Sequence, residues 1–293
     1  MGIFKGSGVA LITPFNEDMS INYTKLEELI EWHIENKTDA LVIAGTTGEA
    51  STLPDEEHIE LVRRSVEIAK GRVPVIAGTG SNDTHHGVRL SLECERVGAD
   101  GLLIVTPYYN KTNKQGLINH YTTIADKINI PIILYNVPGR TGMNIPADVV
   151  LELSNHKNIV GLKEASGDIS YLAEVARVCN SDFSIYSGND DIIVPVLSLG
   201  GVGVISVLAN VMPLETHNIV TSYLEGDVIK SRNLQLSLNS FVNSLFLETN
   251  PIPVKSAMNL MNMNVGGLRQ PLWEMSSDSL ELLKIEMKKV NLI

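Results

Sequence analysis

Cysteine is nearly absent from the 293-residue chain, which carries only Cys94 and Cys179, far apart in helical-looking segments. That number excludes a disulfide framework and predicts free, buried thiols in a reducing compartment, hence a cytoplasmic protein. Positive charge is also scarce: 23 Lys and Arg stand against 34 Asp and Glu, a formal charge of −11, with no basic run anywhere. Nucleic acid and anionic membranes need a basic patch, so neither is expected as a partner. No stretch approaches the ~18 apolar residues of a membrane span. The N-terminus does not read as a signal peptide, because Glu17 and Asp18 arrive before an adequate apolar core, and Gly6 stands where a myristoylation signal wants Ser or Thr. CxxC and HExxH are missing, and His85 and His86 are adjacent, so they cannot share a helix face; no metal site is expected. The other histidines, His33, His58, His120, His156 and His217, are expected on the surface or in packing. A GxSxG nucleophile elbow and a dinucleotide-binding glycine fingerprint are missing as well.

What is present is a soluble-type composition, 44% hydrophobic and 19% charged, long enough for a large core. Apolar, β-rich runs occur at Val9–Thr13, Ala40–Ala44, Val73–Ala77, Gly101–Thr106, Pro131–Asn136, Ile159–Ala165, Phe183–Ser187 and Gly203–Val207. Between them apolar residues recur at spacings of three and four, as in Leu26, Leu29, Ile30 and Ile34. Helix starts are signalled by Asp55 with His58, by Asp83 before Thr84, and by Pro146 before Asp148. Strands alternating with helices every ~20–30 residues predict a (β/α)8 barrel over 1–224. A doubly wound open sheet is the alternative, and it lacks its phosphate-binding glycines. After Glu225 the strand signal ends, so 225–293 is expected to be a helical C-terminal extension, broken near 249–253 and at Gly266-Gly267.

Active sites of such barrels lie at the C-terminal ends of the strands. There the sequence places Thr46 and Thr47, Tyr108 and Tyr109, Tyr135 followed by Arg140, then Lys163, Gly188 and Ile205. Lys163 closes an apolar run in which a cation is expensive to bury. A lysine held in a dry pocket loses its proton more easily and can attack a carbonyl to form a Schiff base. Alternation makes Ile133 and Tyr135 share a face of the fifth strand, and Gly161, Lys163 and Ala165 share a face of the sixth, with Gly161 expected to leave room for the lysine. Each residue also has an ordinary reading: Lys163 as a solvated or Glu164-paired strand end, Thr47 as a helix cap, the tyrosines as rim packing, Arg140 as a loop charge. The glycines at 200–203 precede the last strand and fall on the opposite face, while those at 78–80 are a weak signal for backbone donors.

The motifs GTTGE at 45–49, TPYYN at 106–110, YNVPGRTG at 135–142, GLKEASG at 161–167, SGND at 187–190, GVISV at 203–207 and NPIPVK at 250–255 resemble, in order and over nearly the whole chain, the dihydrodipicolinate synthase family. These are pyruvate-dependent, Schiff-base class I aldolases, a superfamily that includes N-acetylneuraminate lyase. The resemblance implies that Lys163 binds pyruvate covalently and needs no cofactor. It makes Tyr135 the general acid/base in a relay with Thr46 and Tyr109, and implies L-aspartate 4-semialdehyde as the second substrate. Thr47, Gly188 and Ile205 would hold or line the pyruvate pocket, and Arg140 would grip the semialdehyde carboxylate. A lyase for a long sugar-derived aldehyde, the alternative within the superfamily, has no use for that arginine. Tyr109 would come from a neighbouring subunit, implying a homotetramer built as a dimer of dimers. Ala50, His58, Asn82 and Tyr108 match a lysine-effector site, but Asp55 and His86 replace its histidine and glutamate. Weak or absent feedback inhibition is therefore expected.

Overall fold

A computed structural model describes residues 2–293 of the chain. Eight strands, β1 (Gly6–Ala10), β2 (Ala40–Ile43), β3 (Val75–Gly78), β4 (Gly101–Val105), β5 (Ile132–Asn136), β6 (Ile159–Glu164), β7 (Ser184–Ser187) and β8 (Gly203–Ser206), pair in sequence order and close into a barrel through β8 and β1. The predicted (β/α)8 barrel forms; the open sheet does not. Every pairing between consecutive strands is parallel, which the intervening helices make possible.

Strand alternation divides the apolar residues between two cores. Val9, Leu41, Ile43, Ile104, Leu134 and Leu162 face outward under the helices, whereas Ala10, Val42, Ile76, Ile133, Tyr135 and Ile205 fill the interior. The floor of the barrel is a plug from the N-terminal segment. Phe4 stacks on Tyr186 with ring centroids 4.5 Å apart, and the Tyr186 hydroxyl donates to the Phe4 carbonyl at 2.7 Å. A Cβ on Gly8 would come within 2.8 Å of the Phe4 ring, and one on Gly101 within 2.3 Å of Ile3 Cδ1, so a side chain at either position would force the plug to shift.

Three local expectations change. The first strand runs Gly6–Ala10 rather than Val9–Thr13; beyond it the Ile12 N–H is taken by Asn210 Oδ1 at 3.1 Å instead of a neighbouring strand. Asp55 opens its helix from inside, with Pro54 at the cap, and so makes no cap hydrogen bond. Asp83 does cap, accepting from the His85 N–H at 2.9 Å. Both cysteines are free, but only Cys94 is fully buried; Cys179 ends its helix half-buried.

Helices Val228–Ser244, Ile252–Leu260 and Ser277–Lys289 follow the last barrel helix, Pro213–Leu224. A buried ion pair locks this extension to the loop after β2: Lys255 Nζ lies 2.6 Å from Glu49 Oε1, with side-chain exposures of 2% and 0%. Lys255 also donates to the Gly267 carbonyl at 2.7 Å, and Glu49 Oε2 accepts the Arg269 N–H at 2.9 Å. Burial lowers Lys255 to about 8, against the pull of Glu49. Both Lys255 and Arg269 sit over the Phe15 ring, at 4.1 and 4.6 Å from its centroid. Among the described residues no helix is long and apolar enough to cross a membrane.

Candidate active site

Strand register brings the two central residues together. Tyr135 on β5 pairs with Lys163 on β6, both facing inward near the strands' C-terminal ends. The Lys163 ammonium stands 4.3 Å from the centroid of the Tyr135 ring, a favourable seat for a cation that water barely reaches. The two residues are 6% and 7% exposed, so Lys163 is neither a solvated strand end nor the partner of Glu164. Glu164 turns to the outer face, where Oε2 accepts from Asn136 Nδ2 at 2.7 Å and Oε1 from the Ser166 N–H at 2.5 Å. Burial raises the Glu164 carboxyl above its usual value. The Asn136–Glu164 pair thus sits on the outside of the strand pair that carries Tyr135 and Lys163 inside.

Room for the lysine comes from Gly188, not from Gly161. A Cβ at Gly188 would meet Lys163 Cε at 3.1 Å, whereas one at Gly161 would strike the Ser184 carbonyl at 2.6 Å. Ile205 closes the interior from β8. Two residues past Gly188, the buried Asp190 accepts the N–H groups of Val207 and Leu208, each at 2.9 Å, and so ties the end of β7 to the turn after β8. Burial raises its carboxyl, against the hydrogen bonds from Ser206, Leu208 and Val207 and, least, the charge of Lys163.

In front of this pair opens a cavity of about 440 Å³ whose lining includes Thr46, Tyr135, Arg140 and Asn250. Lys163, Thr47, Gly188 and Ile205 lie outside that lining. Arg140 rides on the short helix Pro138–Thr141, which ends at Gly142 with φ +69°. Its Nη2 donates to the Asn250 carbonyl at 2.9 Å. Thr47 caps no helix; its hydroxyl oxygen accepts from Asn250 Nδ2 at 2.9 Å. Tyr109 does not join Thr46 and Tyr135 within one chain. It is held at φ +70°, is 92% exposed and does not line the cavity.

The cavity continues to Ala50, His58 and Tyr108, but Asn82 is not on its lining. The Asn82 carbonyl instead accepts from Asn110 Nδ2 at 2.8 Å. His86 Nε2 lies 2.9 and 3.1 Å from the two Asp55 oxygens, with its Nδ1 3.1 Å from Ser81 Oγ. His58 is pushed down to about 4 by burial.

The profile of the family described as "Dihydrodipicolinate synthetase family" matches residues 3–290. The chain belongs to this family. It is 58% identical over 291 residues to the 4-hydroxy-tetrahydrodipicolinate synthase of Clostridium perfringens, covering 99% of this chain and 100% of that one. It is 56% identical over 294 residues to the enzyme of the same name from Thermoanaerobacter pseudethanolicus, covering 100% and 99%. Among solved structures, dihydrodipicolinate synthase from Aquifex aeolicus superposes with a TM-score of 0.96 at 44% identity over 99% of both chains.

Alternation and strand ends place Lys163, Tyr135 and Thr46 at the barrel mouth from the sequence alone. Asn136 and Asp190 also stand at strand ends, but nothing in their local pattern shows what they hold in place, and Asn250 carries no such signal. Asn250 stood in a quoted motif without a role, and its contacts reach 203 residues back to Thr47 and 110 back to Arg140.

Proposed function

We propose that this protein condenses pyruvate with L-aspartate 4-semialdehyde to 4-hydroxy-tetrahydrodipicolinate, as a carbon–carbon-bond-forming lyase of cytoplasmic diaminopimelate and lysine biosynthesis. Full-length relatives at 56–58% identity carry that name. The observation that carries the chemistry is the enclosed Lys163 ammonium over Tyr135, beside a cavity that Arg140 lines.

The reaction requires no cofactor. The Lys163 amine attacks the keto carbon of pyruvate, water leaves, and an iminium forms. Loss of a methyl proton gives the enamine, whose carbon adds to the aldehyde of the second substrate. The amino group of that substrate then attacks the former keto carbon, releases Lys163 and closes the ring. Tyr135 moves the protons, with Thr46 and the Tyr109 of a neighbouring subunit completing the relay; such transfers contribute ~10²–10⁴-fold. The 92% exposure of Tyr109 at a positive φ supports a residue donated to another chain; a dimer is then the smallest complete unit, paired into a tetramer. Thr47 and the backbone at Gly188 and Ile205 hold the pyruvate carboxylate. Arg140 takes the carboxylate of the semialdehyde as a planar fork, which a sugar-aldehyde lyase would not need.

Borohydride reduction in the presence of pyruvate tests the reading. A reduced pyruvyl adduct on the Lys163 peptide with loss of activity is expected; an unmodified Lys163 peptide with activity retained refutes it. At the far end of the cavity, Ala50, His58 and Tyr108 form the remnant of an effector site from which Asn82 is set aside and in which Asp55 is engaged by His86. Inhibition by submillimolar L-lysine in a steady-state assay would contradict the expected insensitivity.

A further inference from the structure

We infer that Asn250, from the C-terminal extension, is a positioning residue that aims the Thr47 hydroxyl at the substrate carboxylate while its backbone holds Arg140. The inference rests on the reading of Thr47 and Arg140 given above. Its physical basis is the direction of one hydrogen bond. An amide nitrogen can only donate, so the contact from Asn250 Nδ2 at 2.9 Å makes Thr47 Oγ1 the acceptor. A hydroxyl whose oxygen is already occupied in this way keeps its single proton for another partner. Thr47 is 2% exposed, and the contact with Asn250 is the one hydrogen bond its side chain makes among the described residues. A buried O–H without an acceptor is costly, and a carboxylate entering the pocket relieves that cost.

Asn250 itself is 7% exposed and is on the cavity lining. Its Oδ1 is buried without a partner, so the bond to Thr47 is what orients the side chain. Its backbone carbonyl, meanwhile, accepts Arg140 Nη2 at 2.9 Å. One residue therefore spans the two groups that receive the two substrate carboxylates. Its side chain serves one and its main chain the other, and the division can be tested because substitution removes only the side chain.

In Asn250→Ala the KM for pyruvate should rise about tenfold, while the KM for the aldehyde changes by less than about twofold and kcat by less than about threefold. A merely structural role would displace the carbonyl too and raise both KM values together. In a Thr47→Val background the Asn250 substitution should have no further effect on the pyruvate KM; in Thr47→Ser, which keeps the hydroxyl, it should retain its full effect. Should Asn250→Ala fail to fold, the isosteric Asn250→Asp forces Thr47 to donate away from the substrate and should raise the pyruvate KM by about tenfold or more. Additive effects of Asn250 and Thr47→Val, equal rises in both KM values, or an unchanged pyruvate KM in either Asn250 variant would overturn the inference. Borohydride trapping at saturating pyruvate, run on every variant, reads the Schiff base independently. An unchanged pyruvate KM in Thr47→Val alone would instead defeat the reading of Thr47.

Discussion

Replacing Lys255 by methionine leaves a carboxylate, Glu49, in a place where neither partner's side chain is more than 2% exposed. Methionine fills most of the lysine stem's volume and can keep contact with Phe15, so the change isolates charge from packing. Breaking a buried pair by removing one partner typically costs 3–5 kcal/mol, because the remaining ion has lost both water and counter-ion. Two features of the site pull that figure down. The Arg269 N–H stays on Glu49 Oε2 at 2.9 Å, and the lysine was itself disfavoured by burial, as its lowering to about 8 records. The expected loss is about 3 kcal/mol, a large share of the ~5–15 kcal/mol that holds a typical domain together. Urea unfolding followed by far-UV circular dichroism, at fixed protein concentration and neutral pH, measures it. The double variant Glu49→Gln with Lys255→Met has no uncompensated charge and keeps an acceptor for Arg269, so it should regain most of the loss. A single variant within about 1 kcal/mol of the parent, or a double variant no more stable than the single, would refute the reasoning.

Other outcomes follow from the same geometry. Arg140→Lys should lower kcat/KM for the aldehyde by about 10- to 100-fold while leaving pyruvate trapping intact, because an ammonium cannot reproduce the guanidinium fork. Gly188→Ala places a Cβ 2.6 Å from Ala165 Cβ and 2.9 Å from the Glu164 carbonyl as well as against Lys163; overpacking of that kind costs about 1–3 kcal/mol and should slow borohydride trapping, and an unimpaired trapping rate would count against Gly188 as the residue that makes room. His33, His58 and His120 are lowered by burial to about 3, 4 and 4. The unfolded chain therefore binds their protons first, so this stability is complete above ~6.5 and is lost as pH falls toward 4. Glu164 and Asp190, raised by burial, act in the opposite sense. Denaturant melts should show lower stability at pH 5 than at pH 7, and equal stability at the two pH values would contradict it.

The parts of the site that could be read in advance obey a period. Lys163 and Tyr135 are two-residue alternations at the ends of apolar runs, and the barrel rule says which end matters. The parts that could not be read depend on distances between strands and on contacts across most of the chain. Gly161 was expected to make room for the lysine because it shares a strand with it, but the backbone that abuts Lys163 Cε is Gly188, just past the end of the next strand. Asp55 resembled a helix cap because the helix start is legible to within a residue or so; its carboxylate is instead taken by His86, 31 positions later. Lys255 and Glu49 meet over a separation of 206 residues, and no local pattern encodes that.

That separation has a consequence for the order in which a working molecule comes into being. A polypeptide emerging from the ribosome completes all eight strands by Ser206, well before Asn250 and Lys255 have left the exit tunnel. Until they do, Glu49 has no cation to meet and Thr47 no amide to orient it. A barrel terminated before them would hold Lys163 and Tyr135, yet lack the residues that secure the loop after β2.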